Sequence, residues 1–232
     1  VREFVVKEKF REPRRIANAV KKSGVFLAYE FGKRYFEKPA RNARFVYFPL
    51  HWPDESDMLI RSRHFSDQAL LCSSIGRLLP SGMELYVKPH RANPAEATPF
   101  SLIRSLALQD GVRVIDPDVA GHQLIEQSQA VITIFGTTGF EALLLRKPVV
   151  VLGHPAYSGW GITTDVDSLD ALPEGLKRAM CAQPSEEKLM DFLASFLSIH
   201  VRGDWRSLPY NGELMTDGIL EMVRRLRDRR LT

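Results

Sequence analysis

Short apolar runs alternate with helical patterns along the chain from Arg44 onward. Each run is bounded by proline, glycine or charged residues, a pattern that is typical of buried strands. The runs predict five strands, at Phe45–Phe48, Glu84–Lys88, Val112–Ile115, Ala130–Phe135 and Pro148–Leu152.

Between and after these strands, apolar residues recur at helical spacing. The segments predict helices at Asp67–Leu79, Pro99–Leu108, Val119–Ser128, Thr137–Leu145, Leu169–Cys181, Ser185–Ile199 and Glu213–Arg230. Strands that are apolar on both faces and alternate with helices are typical of a parallel sheet with helices on both sides. The sequence therefore predicts an α/β, Rossmann-like fold.

Residues 1–43 differ from this pattern because charged residues dominate them. One helix is predicted after Pro13, and we interpret the segment as a linker or the remnant of an N-terminal domain. Residues 44–232 would then form a Rossmann-like domain with a helical C-terminal extension. The chain starts with Val1 rather than Met, so we expect it to be part of a longer protein.

Composition excludes several classes of protein. The chain has 232 residues, of which 44% are hydrophobic and 26% are charged, as in ordinary globular proteins. Its two cysteines cannot build a disulfide scaffold, and its histidines lack metal-site spacing, so no metal is expected. No apolar run reaches the roughly 20 residues of a membrane-spanning helix. The formal charge of +4 is a mild excess, and acidic residues among the N-terminal basic ones argue against a nucleic-acid-binding arm.

The loops that leave the strands are the candidate ligand sites, because parallel α/β sheets bind ligands at the carboxyl ends of their strands. The fourth strand runs into Gly136, Thr137, Thr138 and Gly139, after which a helix begins. Glycines let backbone N–H groups approach an anion, and the start of a helix adds unpaired donors. Glu141, in the first helical turn, can accept hydrogen bonds from a ribose. The motif predicts a phosphate site, with a simple helix cap as the alternative.

A cationic cluster of Lys88, His90 and Arg91 follows the second strand. Such side chains suit a phosphate or a carboxylate. A lone histidine in a loop is usually just solvated, but the two flanking cations favour a ligand site.

Two further loops carry aromatic or titratable side chains. His51 and Trp52 follow the first strand and open a long loop that suits either a substrate lid or a surface excursion. Tyr157 and Trp160 follow the fifth strand in a glycine-rich segment. Either ring can stack on a base or a sugar, or can be buried in a dense turn, and both interpretations stay open.

Several motifs, taken in order, resemble the capsule polysaccharide synthesis family of bacteria, which includes the β-Kdo transferases of capsule export systems. They are Phe45-Val-Tyr-Phe-Pro-Leu-His51-Trp-Pro, Phe65-Ser-Asp-Gln68, Tyr86-Val-Lys-Pro-His90, Ile132-Thr-Ile-Phe-Gly-Thr-Thr-Gly139-Phe-Glu-Ala-Leu-Leu144 and Arg146-Lys-Pro-Val-Val150. The resemblance covers residues 44–165. This chain departs from the family's Lys-Glu-His-Pro-like motif, because Pro89 precedes His90.

The resemblance implies a GT-B glycosyltransferase, in which two Rossmann-like domains face a cleft, and this chain would supply the C-terminal, nucleotide-sugar-binding half. It implies donor-binding roles for Lys88 and His90 and for the motif from Gly136 to Glu141. The implied reaction is an inverting, metal-independent transfer to a glycan or glycolipid acceptor during capsule or lipopolysaccharide synthesis. CMP-Kdo is one candidate donor, and no further cofactor is implied. The catalytic base is expected in an N-terminal acceptor domain that residues 1–43 do not contain, so the chain alone is expected to be inactive.

Two alternatives remain at this point. A sugar-nucleotide epimerase of the UDP-GlcNAc 2-epimerase type shares the fold. A non-catalytic interaction module is suggested by the predicted C-terminal helix, which sets apolar positions such as Leu220 and Val223 against several arginines. Such a helix suits an anionic membrane surface or a partner protein. We therefore expect a cytoplasmic protein, with peripheral contact with the inner membrane as an option and no nucleic-acid partner.

Overall fold

The computed structural model describes residues 23–52, 62, 65–90, 98–182 and 185–199, and the structural statements below concern these residues. The chain divides into two compact units, Val1–Pro184 and Ser185–Thr232. The described part of the second unit contains a single helix. All other described elements belong to the first unit.

Six strands of the first unit form one parallel sheet. They are β1 Phe45–Pro49, β2 Glu84–Lys88, β3 Val112–Val114, β4 Ala130–Thr133, β5 Val149–Val151 and β6 Thr164–Asp165. Their order across the sheet is β3-β2-β1-β4-β5-β6, and every neighbouring pair is parallel. This is the strand order of doubly wound Rossmann folds, so the predicted fold class is confirmed. β6 was not predicted, because its two residues contain no apolar run.

The helices of the first unit are α1 through residues 23–32, α2 Gln68–Leu78, α3 Phe100–Ala107, α4 Gly121–Gln127, α5 Thr137–Leu144 and α6 Leu172–Cys181. Short 3-10 turns lie at Lys33–Tyr35 and Leu169–Ala171. In the second unit, α7 Glu186–Ile199 brings the rings of Phe192 and Phe196 to 5.5 Å. Among the described helices, none combines the length and apolarity that crossing a membrane requires. The predicted helix at Glu213–Arg230 lies outside the described residues.

Burial on both faces of the sheet explains why its strands are apolar throughout. On one face, Val46, Phe48 and Leu85 join a core cluster with residues of α2, α3 and α6, such as Ile75 of α2. Alternate strand residues point to the other face, where the buried residues include Leu124 of α4. Each fully buried side chain of this size contributes about 1.5–3 kcal/mol.

The segment before β1 attaches to the open edge of β3. The Glu37 N–H donates to the Val114 carbonyl at 2.8 Å, and the Asp116 N–H donates to the Glu37 carbonyl at 3.0 Å. The guanidinium of Arg113 lies 2.9 Å from the Glu84 carboxylate and 3.4 Å from that of Glu37. These contacts tie the described end of the N-terminal segment to the sheet. The predicted domain boundary after residue 43 stays a prediction.

Candidate functional site

The strand order reverses between β1 and β4: β2 and β3 lie on one side of β1, whereas β4, β5 and β6 lie on the other. In doubly wound sheets a crevice opens at this point, outside the carboxyl ends of the strands. The residues that follow β1, β2 and β4 lie at these carboxyl ends. All four loops predicted to bind ligand are brought together by the fold, because contacts link the loop after β1 to those after β2 and β4, and the loop after β5 to the one after β4.

The turn after β4 leaves the start of α5 open. Gly136 has φ +96° and ψ 179°, a conformation that is essentially restricted to glycine. It is the N-cap residue of α5, and no side chain of the described residues caps this helix. The N–H groups of the first turn therefore point out of the helix without a side-chain acceptor, at the positive end of the helix dipole. Gly136 and Thr137 are exposed, so an anion can reach these donors.

Tyr157 holds this turn from behind. Its hydroxyl donates to the Gly136 carbonyl at 2.8 Å, and only 5% of the residue is exposed. Burial raises the pKa of Tyr157, so the hydroxyl keeps its proton at neutral pH. A methyl group at Gly139 would collide with the Tyr157 hydroxyl and ring. Gly139 therefore makes room for Tyr157, and the structure favours burial in the turn over the stacking role that the sequence left open for this ring.

His51 follows β1 and is fixed through its backbone. Its N–H donates to Oε1 of Gln68 at 2.7 Å, and Nε2 of Gln68 donates to the His51 carbonyl at 2.8 Å. Gln68 is the first residue of α2 and is itself buried. The imidazole packs against Phe135, with ring centres 4.5 Å apart, and edge-on to Phe48 at 5.9 Å. A position predicted to open a substrate loop is thus 7% exposed and firmly held.

The imidazole of His51 is a neutral group that faces the β4 turn. The Ile134 N–H donates to its Nε2 at 3.4 Å. Burial, with a smaller contribution from His90, lowers the pKa of His51 to about 4. A methyl group at Gly136 would lie 3.8 Å from Cε1 and 4.0 Å from Nδ1 of this ring. His51 and the start of α5 therefore border the same small space.

Charged and polar side chains also lie at the carboxyl end of β2. Lys88 is the last residue of β2 and is 8% exposed, whereas His90 is exposed. The His90 ring stands edge-on to Trp52, with ring centres 6.1 Å apart. The Leu50 N–H donates to the Lys88 carbonyl at 2.9 Å, which continues the pairing of β1 with β2 beyond the last paired residues. Arg91 lies outside the described residues, so its predicted part in this cluster stays a prediction.

The loop after β5 supplies an exposed ring. The Asp165 carboxylate accepts hydrogen bonds from the Gly159 N–H at 2.7 Å and from the Thr163 hydroxyl at 2.6 Å. Trp160, between these anchors, is 43% exposed. The loop is therefore pinned at its base, and Trp160 keeps the predicted option of stacking on a base or sugar.

Glu141 lies on the exposed surface of α5, a full turn after Thr137, the first residue of the helix. The predicted position in the first helical turn is therefore wrong, because the helix begins too early for Glu141 to fall within that turn. Its charge adds to burial in raising the pKa of Tyr47, a residue of β1. Its predicted contact with a ribose stays a prediction.

A cavity of about 720 Å³ lies away from these residues. It is lined by the segment Lys38–Ala43, by Phe45 at the start of β1, and by Gln123 and Gln127 of α4. None of the predicted site residues lines it. The described residues also contain no group of three or more His, Cys, Asp or Glu that could hold a metal.

Sequence analysis assigned no role to Gln68, whose side chain fixes the His51 backbone. On α2, Gln68, Leu71, Cys72 and Ile75 are buried, whereas Leu70 is exposed. A polar residue at a helix start normally indicates a surface position. The signal that could have identified Gln68 is its place in a motif next to the loop after β1.

Comparison with known proteins points to polysaccharide synthesis. The family described as capsule polysaccharide biosynthesis protein matches residues 15–192. Over 52 residues, the chain is 52% identical to the lipopolysaccharide-processing protein LpsZ of Rhizobium meliloti, covering 22% of this chain and 12% of that protein. Over 141 residues, it is 25% identical to the capsule polysaccharide modification protein LipA of Neisseria meningitidis serogroup B, covering 60% of this chain and 19% of that protein. The matched regions thus span less than a fifth of either relative.

The chain is also similar to parts of two solved structures. One is KpsC, beta Kdo 2,7 transferase, of Thermosulfurimonas dismutans, with a TM-score of 0.44 and 24% identity over 66% of this chain and 51% of that chain. Another is the UDP-GlcNAc 2-epimerase of Methanocaldococcus jannaschii, with a TM-score of 0.47 and 13% identity over 74% of this chain and 49% of that chain.

Proposed function

Because this chain belongs to the capsule polysaccharide biosynthesis family, we propose that it is the donor-binding domain of a glycosyltransferase that builds a bacterial surface polysaccharide. A polysaccharide grows by transfer of sugars from activated donors, and in a nucleotide-sugar the leaving group is a phosphate. The domain proposed here must therefore bind a phosphate next to a sugar. In this proposal it works with an N-terminal acceptor domain and a glycan or glycolipid acceptor.

The observation that carries the proposal is the uncapped start of α5, at the point where the strand order reverses and Gly136 takes a conformation reserved for glycine. When the bond between the anomeric carbon and the phosphate oxygen breaks, negative charge accumulates on the departing nucleotide. N–H donors that are already oriented toward this charge stabilise the transition state without reorganising. The amino group of Lys88, at the end of the neighbouring β2–β1 pair, would supply a positive charge.

The remaining groups of the proposed reaction belong to the acceptor molecule and to the N-terminal acceptor domain. The acceptor oxygen bonds to the anomeric carbon, and its proton passes to a base that we assign to the N-terminal acceptor domain. The proposal includes the inverting and metal-independent course that the family resemblance implies.

His90 and Arg91 would contact the phosphate or a sugar carboxylate, Glu141 the ribose, and Trp160 the base or sugar. CMP-Kdo is a candidate donor, because its acidic sugar would offer a second anion to the cations after β2.

Titration calorimetry of the 232-residue chain with CMP, UDP, CMP-Kdo and UDP-GlcNAc tests the proposal. We expect at least one of them to bind. Lys88→Met, His90→Ala and Glu141→Ala should each weaken that binding by about 1–3 kcal/mol, the range for losing one hydrogen bond to a charged group. Lys177→Met, which removes an exposed lysine of α6, is the matched control and should bind normally. Failure of every ligand to bind at millimolar concentration would overturn the proposal.

A further inference from the structure

The imidazole of His51 carries a hydrogen-bond donor for which the described residues provide no acceptor. The ring is 7% exposed, and the contacts made by its nitrogens involve Nε2, which lies 3.4 Å from the Ile134 nitrogen and 3.5 Å from Oγ1 of Thr133. Nδ1 contacts no described hydrogen-bond partner. The edge of the ring that bears Nδ1 faces the position of a Gly136 side chain at 4.0 Å.

We assign the tautomer of this ring from the shorter of its two Nε2 contacts, the one with the Ile134 N–H. The Ile134 N–H can only donate, so Nε2 must accept and the single ring hydrogen lies on Nδ1. The Thr133 hydroxyl donates to the Phe135 carbonyl at 2.7 Å, so toward Nε2 it could act only as an acceptor, at the longer distance of 3.5 Å. Protonating Nε2 would set an N–H against the Ile134 N–H. The surroundings of His51 thus favour a neutral ring whose only N–H donor is Nδ1–H.

We propose that Nδ1–H of His51 donates a hydrogen bond to the phosphate that binds at the open start of α5. This inference rests on the proposed function and adds a residue to the same site. The backbone N–H groups of α5 would contact the phosphate from one side and His51 from the other. A bound phosphate oxygen would give this donor an acceptor.

The arrangement gives His51 a role that a charged side chain would not have. Two hydrogen bonds with Gln68 fix the backbone of His51, and Phe48 and Phe135 hold its ring. The donor is therefore oriented before the ligand arrives, which favours binding without a cost of reorganisation. His90, in contrast, is exposed and stands edge-on to Trp52.

Two variants of the 232-residue chain separate the donor role from simple packing. In His51→Phe the ring volume remains but both nitrogens are lost, so binding of whichever of CMP or UDP binds the unaltered chain should weaken tenfold to about a hundredfold. In His51→Gln an amide can still accept from Ile134 and donate toward Gly136, so binding should fall by less than about fivefold. Thermal unfolding of both variants shows whether they remain folded.

Nitrogen-15 NMR of the histidine rings in the unaltered chain tests the contact directly. Before nucleotide is added, His51 should show a protonated Nδ1 and an unprotonated Nε2, and saturating CMP or UDP should shift the Nδ1–H signal. His122, an exposed histidine of α4, is the internal control and should not move. If nucleotide binds but the His51 signal stays in place, or if a folded His51→Phe binds normally, the inference is wrong while the proposed function stands. If no nucleotide binds the unaltered chain, both are wrong.

Discussion

The turn after β4 and the end of β2 are two anion-binding candidates that the sequence presents as equals, but the structure builds them differently. The β4 turn offers backbone N–H groups, and its shape depends on Gly136, Gly139 and Tyr157. The end of β2 offers side chains, the buried Lys88 and the exposed His90. The donors of the β4 turn therefore depend on backbone conformation, whereas those at the end of β2 depend on which side chains occupy it.

This difference suggests a division of work within the proposed site. Backbone donors are uncharged and fixed, so they position a phosphate rather than attract it from a distance. A lysine supplies a full positive charge, whose effect on exposed ligands weakens with salt. We therefore expect changes at the β4 turn to affect the geometry of binding, and changes at the β2 end to affect mainly its strength and salt dependence. The three predictions below test whether the β4 turn is the part that the fold has prearranged.

The largest effect is expected for Gly136→Ala. The residue would be forced into a conformation that costs about 1–3 kcal/mol, and the turn would relax by moving its N–H groups. Because several donors would then point away from the phosphate, nucleotide binding should fall by on the order of a hundredfold, in line with two hydrogen bonds to a charged group. Titration calorimetry measures the binding, and urea unfolding measures the stability.

Gly82→Ala is the matched control for this variant. Gly82 also has a positive φ, +76°, but it lies in the turn before β2, and a methyl group there would meet nothing within 4 Å. Both variants should lose stability, and only Gly136→Ala should lose binding. Equal binding by the two variants would mean that the β4 turn does not hold the phosphate, which would leave the cations after β2 as the better candidate.

The second effect is expected in the pH dependence of stability. It connects the two regions because His90, after β2, contributes to lowering the pKa of His51, which lies beside the β4 turn. In the unfolded chain a histidine takes up its proton near pH 6.5, whereas in the folded protein burial and the nearby His90 hold the pKa of His51 at about 4. Between these values the unfolded state binds more protons. The stability contributed by the neutral ring is therefore complete above pH 6.5 and is lost as the pH falls toward 4.

The loss between pH 7 and pH 5 should be about 2 kcal/mol of unfolding free energy, measured by urea titration at both values. His51→Gln should lack this part of the pH dependence. His154→Gln replaces an exposed histidine of the loop after β5 and should keep it. An identical pH dependence in all three proteins would show that His51 is not buried as a neutral group.

The sequence predicted the fold better than it predicted how the site is held together. Strands buried on both faces leave unbroken apolar runs, so β1 to β5 could be located from local pattern alone. β6 could not, because Thr164 and Asp165 join the sheet only through pairing with β5. The site loops were found by the same logic, since ligands bind where such strands end.

The contacts that shape those loops depend on residues far apart in sequence. Gln68 is buried because its amide matches the N–H and carbonyl of His51, 17 positions earlier in the chain. Tyr157 was a candidate for stacking, yet its hydroxyl bonds to Gly136, 21 positions earlier in the chain. Neither contact has a periodic signal, because each depends on how two loops meet after the sheet has formed.

The smallest effect is expected for Tyr157→Phe, which removes only the hydroxyl that donates to the Gly136 carbonyl. One neutral hydrogen bond contributes about 1 kcal/mol, so stability should fall by that amount, and nucleotide binding should weaken a few-fold as the turn loosens. Tyr86→Phe is the control, because the Tyr86 hydroxyl accepts from the Ala40 N–H at 3.4 Å, remote from the β4 turn. Tyr86→Phe should lose at most a similar amount of stability and bind nucleotide normally. If Tyr157→Phe binds as tightly as the unaltered chain, Gly136 and the start of α5 hold their shape without this hydrogen bond, and the prearrangement of the turn must come from Gly136 and the packing of His51 alone.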